Sequence, residues 1–341
     1  MKKVIISGAS GQDGSYMIDH LLETTDYEII GCVRRKTLEL DNFFKKHYNN
    51  SRFRLVHFDL TDVHSITSLI KDEQPDYFIN FAAQTFVGDS WEMPTLHFKC
   101  NAESVLHMLE AIRNFCPHCR FYSAGTSEQY GDVDYSPQDI RHPFKPRSPY
   151  GAAKVAANML VKVYRESYGL YAVHSILFNH ESSRRPECFV SKKITKAVAR
   201  IKRSIDKKES FEPLELGNLN AQRDWSHAKD FVKGVWLMLN KEKPRDYLLA
   251  SGETHTVKKF VELSFKHVGV FGDWKGEGDQ ETFILKNSNQ CLVKVNKKFY
   301  RPAEVSLLLG DPKEAEKELN WKREISFEDL VKNMVDDDLG V

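Results

Sequence analysis

Val4-Ile5-Ile6-Ser7-Gly8-Ala9-Ser10-Gly11-Gln12-Asp13-Gly14-Ser15-Tyr16 runs from an apolar, β-branched segment through a glycine-spaced turn into the start of a helix. Gly8, Gly11 and Gly14 let the backbone turn sharply and approach a pyrophosphate, whose charge suits the positive end of the helix that follows. A glycine triplet alone is common. Set between a first strand and a first helix, it predicts the opening βαβ unit of a dinucleotide-binding fold, with Gly8, Gly11, Gln12, Asp13 and Gly14 as the cofactor loop.

Outward from this loop, short β-branched or aromatic runs alternate with amphipathic stretches, the pattern of a parallel sheet with crossover helices. Strands are expected near residues 4–7, 28–33, 53–58, 77–81, 120–123 and 171–177. Helices are expected over 102–114 and 152–167, whose apolar residues fall on one face and read mostly as core. After about residue 180 the alternation weakens, with shorter elements such as 189–204 and 257–267. The fold class is therefore α/β: a Rossmann-type doubly wound parallel sheet over 1–178, and a smaller mixed α/β substrate domain over 179–341. A helix at 226–240 is expected to pack back on the first domain.

The second strand ends in Val33-Arg34-Arg35-Lys36, where an NAD-selective protein usually has Asp or Glu for the ribose hydroxyls. Arg34 and Arg35 suit a 2′-phosphate instead, which predicts NADP. Asp59 and Leu60 follow the third strand, where an acid can accept from the adenine amine and the next amide can donate. Ala82 and Ala83 end the fourth strand with side chains small enough to admit a cofactor backbone.

The chain has 341 residues, 41% of them hydrophobic and 28% charged, enough to bury a large core. Its net charge of +1 gives no global attraction to nucleic acid or to an anionic membrane. No stretch approaches the ~20 apolar residues of a membrane span, and the apolar run at the amino terminus breaks at Ser7-Gly8, unlike a signal peptide. A cytoplasmic protein is expected. Cys116-Pro117-His118-Cys119 has the spacing of a redox dithiol or half a zinc site, but it follows a helical pattern, precedes a strand and lacks a matching second ligand pair. It reads as a loop with reduced thiols, and no metal is expected.

Tyr150-Gly151-Ala152-Ala153-Lys154 puts a phenol and an ammonium one helical turn apart. A nearby cation favours phenolate, so Tyr150 can serve as a base with Lys154 beside it. After the fifth strand, Thr126-Ser127-Glu128 stands at the carboxyl edge of the sheet, where such folds bind substrate. Oxidation of an alcohol needs only Thr126, Tyr150 and Lys154. Glu128 adds a carboxylate able to take a carbon-bound proton and Ser127 an extra donor, which is equipment for an elimination; as a lone feature, Glu128 also reads as an ordinary surface acid.

GQDGSY (11–16), TSEQYG (126–131), SPYGAAK (148–154), LFNHES (177–182) and LGNLNAQRDWSHAKD (216–230) together resemble the GDP-mannose 4,6-dehydratases, a family of extended short-chain dehydrogenases. The likeness runs on to residues 300–305 and 310–321. It implies that Tyr150 deprotonates the carbon 4 hydroxyl while NADP takes the hydride, that Glu128 then removes the carbon 5 proton, and that water leaves carbon 6 with help from Ser127 and Glu128 before the hydride returns there. It also implies that Thr85, Asn179, Glu181, Lys193, Arg223, Arg301 and Glu304 hold the GDP-linked sugar, and that the protein is a homodimer or homotetramer. The chain departs from the family pattern at Lys36, Phe86, Trp91, Gly125 and Pro186-Glu187. Gly125 stands where relatives usually carry Ser, which predicts a looser site. A dehydratase of another GDP-sugar (heptose or N-acetylglucosamine), a nucleotide-sugar epimerase or reductase, and a non-catalytic NADP sensor are the competing readings.

Overall fold

The structure, a computed structural model, describes residues 1–35, 37, 43–300, 305 and 307–341. Lys36, Arg301 and Glu304, named above from the sequence, lie outside the described residues. Strands β1 (Lys3–Ser7), β2 (Glu28–Val33), β3 (Phe53–His57), β4 (Tyr77–Asn80), β5 (Arg120–Ala124) and β6 (Ala172–Leu177) form one parallel sheet in the order β6-β5-β4-β1-β2-β3. The strand Leu248–Leu249 adds to the β6 edge. The chain reverses direction across the sheet between β1 and β4, and ligands of open α/β sheets bind at the carboxyl ends of such a pair. All six strands expected from sequence begin within a residue of the observed ones, and all but β3 are largely buried along their length, as in parallel sheets covered on both faces.

Helices α1 (Gln12–Thr24), α2 (Val63–Glu73), α3 (Ser104–Phe115) and α4 (Pro149–Tyr168) cover the sheet. Helix α4 starts as its sequence dictates: the Ser148 hydroxyl accepts from the Gly151 amide and Pro149 occupies the first turn. Cys116 and Cys119 are buried, free thiols in the turn between α3 and β5, where the Cys119 amide donates to the Cys116 carbonyl at 2.9 Å.

The second half builds its own core. The strands Leu214–Leu216, Gly272–Lys275, Thr282–Leu285 and Cys291–Val295 form a mixed sheet, against which α5 (Val190–Lys207), α6 (Val257–His267) and the carboxyl-terminal helix Phe327–Leu339 pack. Trp225, Phe260 and Phe327 are fully buried there, each side chain of this kind contributing about 1.5–3 kcal/mol by leaving water. The helix Ala228–Leu239 lies instead on α1, with Phe231, Val232, Val235 and Met238 in one cluster with Met17, Ile18 and Leu21. It is shorter than the 226–240 read from sequence because residues Trp225–His227 form a strand paired with Asn179–Glu181, and the His227 side chain caps the helix by accepting from the Lys229 amide. Asp224 fastens the junction: its buried carboxylate accepts from the amides of Ser251 at 2.6 Å, Gly252 at 3.1 Å and Gly310 at 3.2 Å.

Candidate active site

The glycine loop joins β1 to α1, and its glycines are needed for different reasons. Gly8 has φ of +71°, and a Cβ there would stand 2.8 Å from the Ala82 amide nitrogen; one at Gly14 would stand 2.2 Å from the Gly8 carbonyl. Both are thus required by the protein's own packing. Gly11 is different, since a Cβ would meet only the Gly8 carbonyl at 3.2 Å. Gly11 is also the residue before α1 and offers no side-chain cap to the first-turn amides. Open space above uncapped helix amides fits a pyrophosphate.

The side chains of this loop face the protein. Gln12 is buried, donating to the His180 carbonyl at 2.9 Å and accepting from the Ser182 hydroxyl at 2.7 Å. Asp13 accepts from His180 Nε2 at 3.0 Å; burial opposes its charge, but His180 and the Arg185 charge hold its carboxyl below the ordinary value. For His180 burial alone would lower the pKa, and Asp13 reverses this and raises it. The segment LFNHES is therefore tied to the loop by three hydrogen bonds. Arg184 continues the tie, donating to Ser15 Oγ at 3.0 Å and Asp19 at 2.6 Å while its guanidinium lies 3.9 Å from the Tyr16 ring centre. Sequence reading gave Gln12 and Asp13 to the cofactor; the structure places their side chains in this internal lock.

Arg34 and Arg35 are exposed just past β2. The Asp59 carboxyl sits below its usual pKa, first through the Thr61 amide that donates to it at 2.8 Å and further through the Arg34 charge. Arg34, Arg35, Asp59 and Leu60 thus line the carboxyl edge of β2 and β3. Ala82 and Ala83 follow β4, and their segment is braced from two sides. The Ala82 amide donates to Ser7 Oγ at 3.2 Å, and the Asn101 side chain grips both backbone groups of Gln84, at 3.0 and 2.9 Å. Asn101 rides on a π-helical turn, Lys99–Glu103, that precedes α3. Sequence reasoning missed this brace: a helical pattern alone does not signal the extra residue of a π turn.

Thr126, Ser127 and Glu128 form the turn at the end of β5. The Thr126 hydroxyl accepts from the Glu128 amide at 3.3 Å, and the Thr126 amide donates to Gln129 Oε1 at 2.9 Å. The same Gln129 oxygen lies 3.2 Å from His174 Nε2, a buried imidazole on β6. These groups correct the expectation of a loose site at Gly125. A Cβ there would stand 2.0 Å from the Ser175 carbonyl and 2.5 Å from His174 Nε2, so the glycine makes room for His174 and Gln129 and the turn is tight. Gly151 serves a matching purpose on α4, since a Cβ would approach the Glu128 carbonyl to 2.8 Å. Its absence lets Tyr150 come down on the Thr126–Glu128 turn.

Tyr150 and Lys154 are 6% and 5% exposed. The Tyr150 phenol is pushed well up by burial, and the Glu128 charge adds to this; a hydrogen bond with Thr126 and the Arg185 charge pull the other way. Lys154 donates to the Ala124 carbonyl at 2.9 Å, and burial pushes its pKa down to about 8. Thr126, Glu128, Tyr150 and Lys154 therefore meet at the carboxyl end of β5, with Asp13 near enough to act on the phenol.

The residues read as sugar-nucleotide ligands lie on the second half. Asn179 has a buried Oδ1 without a hydrogen-bond partner among the described residues, as a waiting ligand contact would. Lys193 donates to the Glu215 carbonyl at 2.6 Å and lies 3.6 Å from the Phe299 ring centre; burial lowers its pKa. Arg223 is buried on the strand Gln222–Arg223, between His255–Thr256 and Leu307–Leu308. Glu181 is buried and held by Ser191 at 2.5 Å and Arg185 at 3.0 Å, an internal arrangement. Thr85 is exposed beside Phe86, whose ring packs edge-to-face on Phe189 at 6.0 Å. Among the described residues no group of His, Cys, Asp and Glu side chains forms a metal centre, and no helix is long and apolar enough to cross a membrane.

Residues 5–334 match the sequence model of a family described as GDP-mannose 4,6 dehydratase. The chain is 42% identical to the GDP-mannose 4,6 dehydratase of Drosophila melanogaster, over 99% of this chain and 86% of the fly protein. It is 43% identical to that of Sinorhizobium fredii, over 99% and 97%, and 40% identical to that of Homo sapiens, over 98% and 91%. Among solved structures, dTDP-glucose 4,6-dehydratase from Bacillus anthracis in complex with NAD superposes with a TM-score of 0.79 at 18% identity, over 99% of this chain and 96% of that one. RMD from Pseudomonas aeruginosa complexed with NADPH gives 0.77 at 19% identity, over 100% and 99%. The structures share the fold; the sequences carry the kinship, and the chain belongs to the GDP-mannose 4,6-dehydratase family.

Proposed function

We propose that this chain is an NADP-dependent dehydratase that converts GDP-mannose to the 4-keto-6-deoxy sugar and water. The observation that carries the reading is the convergence of Thr126, Glu128, Tyr150 and Lys154 beside the glycine loop, in a chain related end to end to GDP-mannose 4,6-dehydratases. Residues 1–178, with the helix Ala228–Leu239, hold the cofactor: Gly8, Gly11 and Gly14 give the pyrophosphate its approach, Asp59 and Leu60 meet the adenine, and Ala82 and Ala83 leave room. Residues 179–341 hold the sugar nucleotide through Asn179, Lys193, Arg223, Arg301 and Glu304, with Thr85 and Glu181 at its border.

When bound, the nicotinamide would supply reversible storage of a hydride, taken from carbon 4 and given back at carbon 6. Tyr150 takes the proton of the carbon 4 hydroxyl, which Thr126 orients, and Lys154 stabilises the phenolate. The resulting ketone acidifies carbon 5. Glu128 removes that proton, then gives it to the carbon 6 hydroxyl, which departs as water; Ser127 adds a donor to the leaving group, and the proton held by Tyr150 goes to carbon 5 to complete the 4-keto-6-deoxy sugar. Mass spectrometry of the protein incubated with NADP and each of several GDP-sugars tests the reading. Loss of one water from GDP-mannose is expected. Loss from a different GDP-sugar alone keeps the chemistry and changes the substrate, and loss from none rejects a dehydratase.

NADP is favoured over NAD because Arg34 and Arg35 stand, exposed, where a ribose-binding acid otherwise would. A double Arg34→Ala, Arg35→Ala variant is expected to weaken NADP binding about tenfold or more and leave NAD nearly unaffected, each charged hydrogen bond contributing about 1.5–3 kcal/mol. Equal losses for both cofactors would remove the assignment. A homodimer or homotetramer is what the family resemblance implies, and a cytoplasmic location is supported by the six free cysteines.

A further inference from the structure

His97 lies in the short helix Pro94–Phe98, outside the glycine loop, the Thr126–Glu128 turn and the Tyr150–Lys154 pair. It is 1% exposed, and its ring packs edge-to-face on Tyr150, with centroids 6.2 Å apart and planes at 87°. Its Nδ1 is buried and has no hydrogen-bond partner among the described residues. A phenyl ring would fill this space with no polar atom to strand, whereas a dry, unpaired imidazole nitrogen costs what a missing hydrogen bond costs. Burial favours the neutral ring, and the charge of Asp89, in the turn before this helix, opposes that. A buried polar atom left unpaired in a tightly packed site points to a partner that arrives with the ligands.

We propose that His97 is a positioning residue for Tyr150: its Nδ1 is hydrogen-bonded by an O–H group that enters with the ligands, and this bond fixes the phenol for proton transfer. The inference rests on Tyr150 acting as the base. The partner is either a water ordered by the cofactor or a hydroxyl of the sugar nucleotide.

The test has two arms. In protein labelled with nitrogen-15 at histidine, the His97 ring nitrogen, assigned from its loss in His97→Phe, is expected to shift on loading. A shift with NADP alone identifies the water. A shift only after GDP-mannose joins NADP identifies the sugar nucleotide. No shift with either overturns the proposal, and this arm reads it even if GDP-mannose is not turned over. In the second arm, His97→Phe is expected to melt no lower than the parent, because a stranded polar atom is gone. Its kcat should nevertheless fall by about ten- to a hundredfold at nearly unchanged KM, as for a misplaced reacting group. His97→Asn, which keeps a polar atom, should lose less. Were His97 only a packing ring, His97→Phe would be the benign variant; parental kcat in that variant overturns the proposal, as does an Asn variant slower than the Phe variant at equal melting temperature.

Discussion

Glu128→Gln is expected to separate oxidation from dehydration. Gln fills the same volume on the same turn, and the Thr126 hydroxyl accepts from the backbone amide of residue 128, which the substitution leaves in place. The fold and the Thr126 geometry should therefore survive. What disappears is the only group proposed to take the carbon 5 proton, and losing a positioned general base costs about 10²–10⁴ in rate. The electrostatic consequence runs the other way for the first step. Glu128's negative charge raises the Tyr150 pKa, so its removal lowers that pKa and makes the phenolate easier to form. Oxidation at carbon 4 should persist, with its acid limb moved to lower pH. A single-turnover measurement of reduced nicotinamide absorbance alongside dehydrated product checks this: absorbance should accumulate while product falls by that factor. Dehydration at the parental rate would remove Glu128 from its role and mean that another group takes the carbon 5 proton.

The parts of the site that could be read from sequence share a property: their spacing is imposed by one short element. The Tyr150–Lys154 interval is a helix turn, and the Gly8–Gly14 intervals belong to one strand–turn–helix passage. The parts that could not be read depend on contacts between distant segments. Gln12 and Asp13 sit in the glycine loop, yet their side chains are claimed by His180 and Ser182, nearly half the chain away. Gly125 looked like a loss because the sequence does not show that His174 and Gln129 occupy the space beside it. The brace of Asn101 on Gln84 needs a π turn, and that turn leaves the apolar periodicity of 104–115 intact. His97 is silent for the same reason, since its neighbour Tyr150 is on another helix. The strand Leu248–Leu249 is too short to register as a periodic run; its place on the β6 edge is decided by the sheet it joins. Local period thus gave the fold and the chemistry-bearing residues, while the supports that hold them came from tertiary packing.

Tyr150→Phe is expected to stop both steps at once, which distinguishes it from Glu128→Gln. The ring remains to pack against His97, and the lost hydroxyl removes one hydrogen bond with Thr126, a stability change of about 1 kcal/mol. The protein should fold and bind NADP, but neither reduced nicotinamide nor dehydrated sugar should form, with a loss of about 10²–10⁴. The pH profile supplies a second check on the same base. Burial raises the phenol, so it gives up its proton only with help, and the help is the Lys154 ammonium. Burial also depresses Lys154, to about 8 from 10.5, so its charge is present below that pH and lost above it. Below about 8 the ammonium is present and each rise in pH frees more phenolate, whereas above it the gain in phenolate is cancelled by the loss of the ammonium, so the kcat/KM of the parent, which reports the free enzyme, should climb up to about 8 and level off rather than climb on toward the tyrosine range. Lys154→Arg keeps its charge throughout, so the rise should continue past that pH, even if its longer side chain lowers the maximum rate. A break that stays at about 8 in Lys154→Arg would mean that another group titrates there, and measurable carbon 4 oxidation in Tyr150→Phe would mean that the base lies elsewhere.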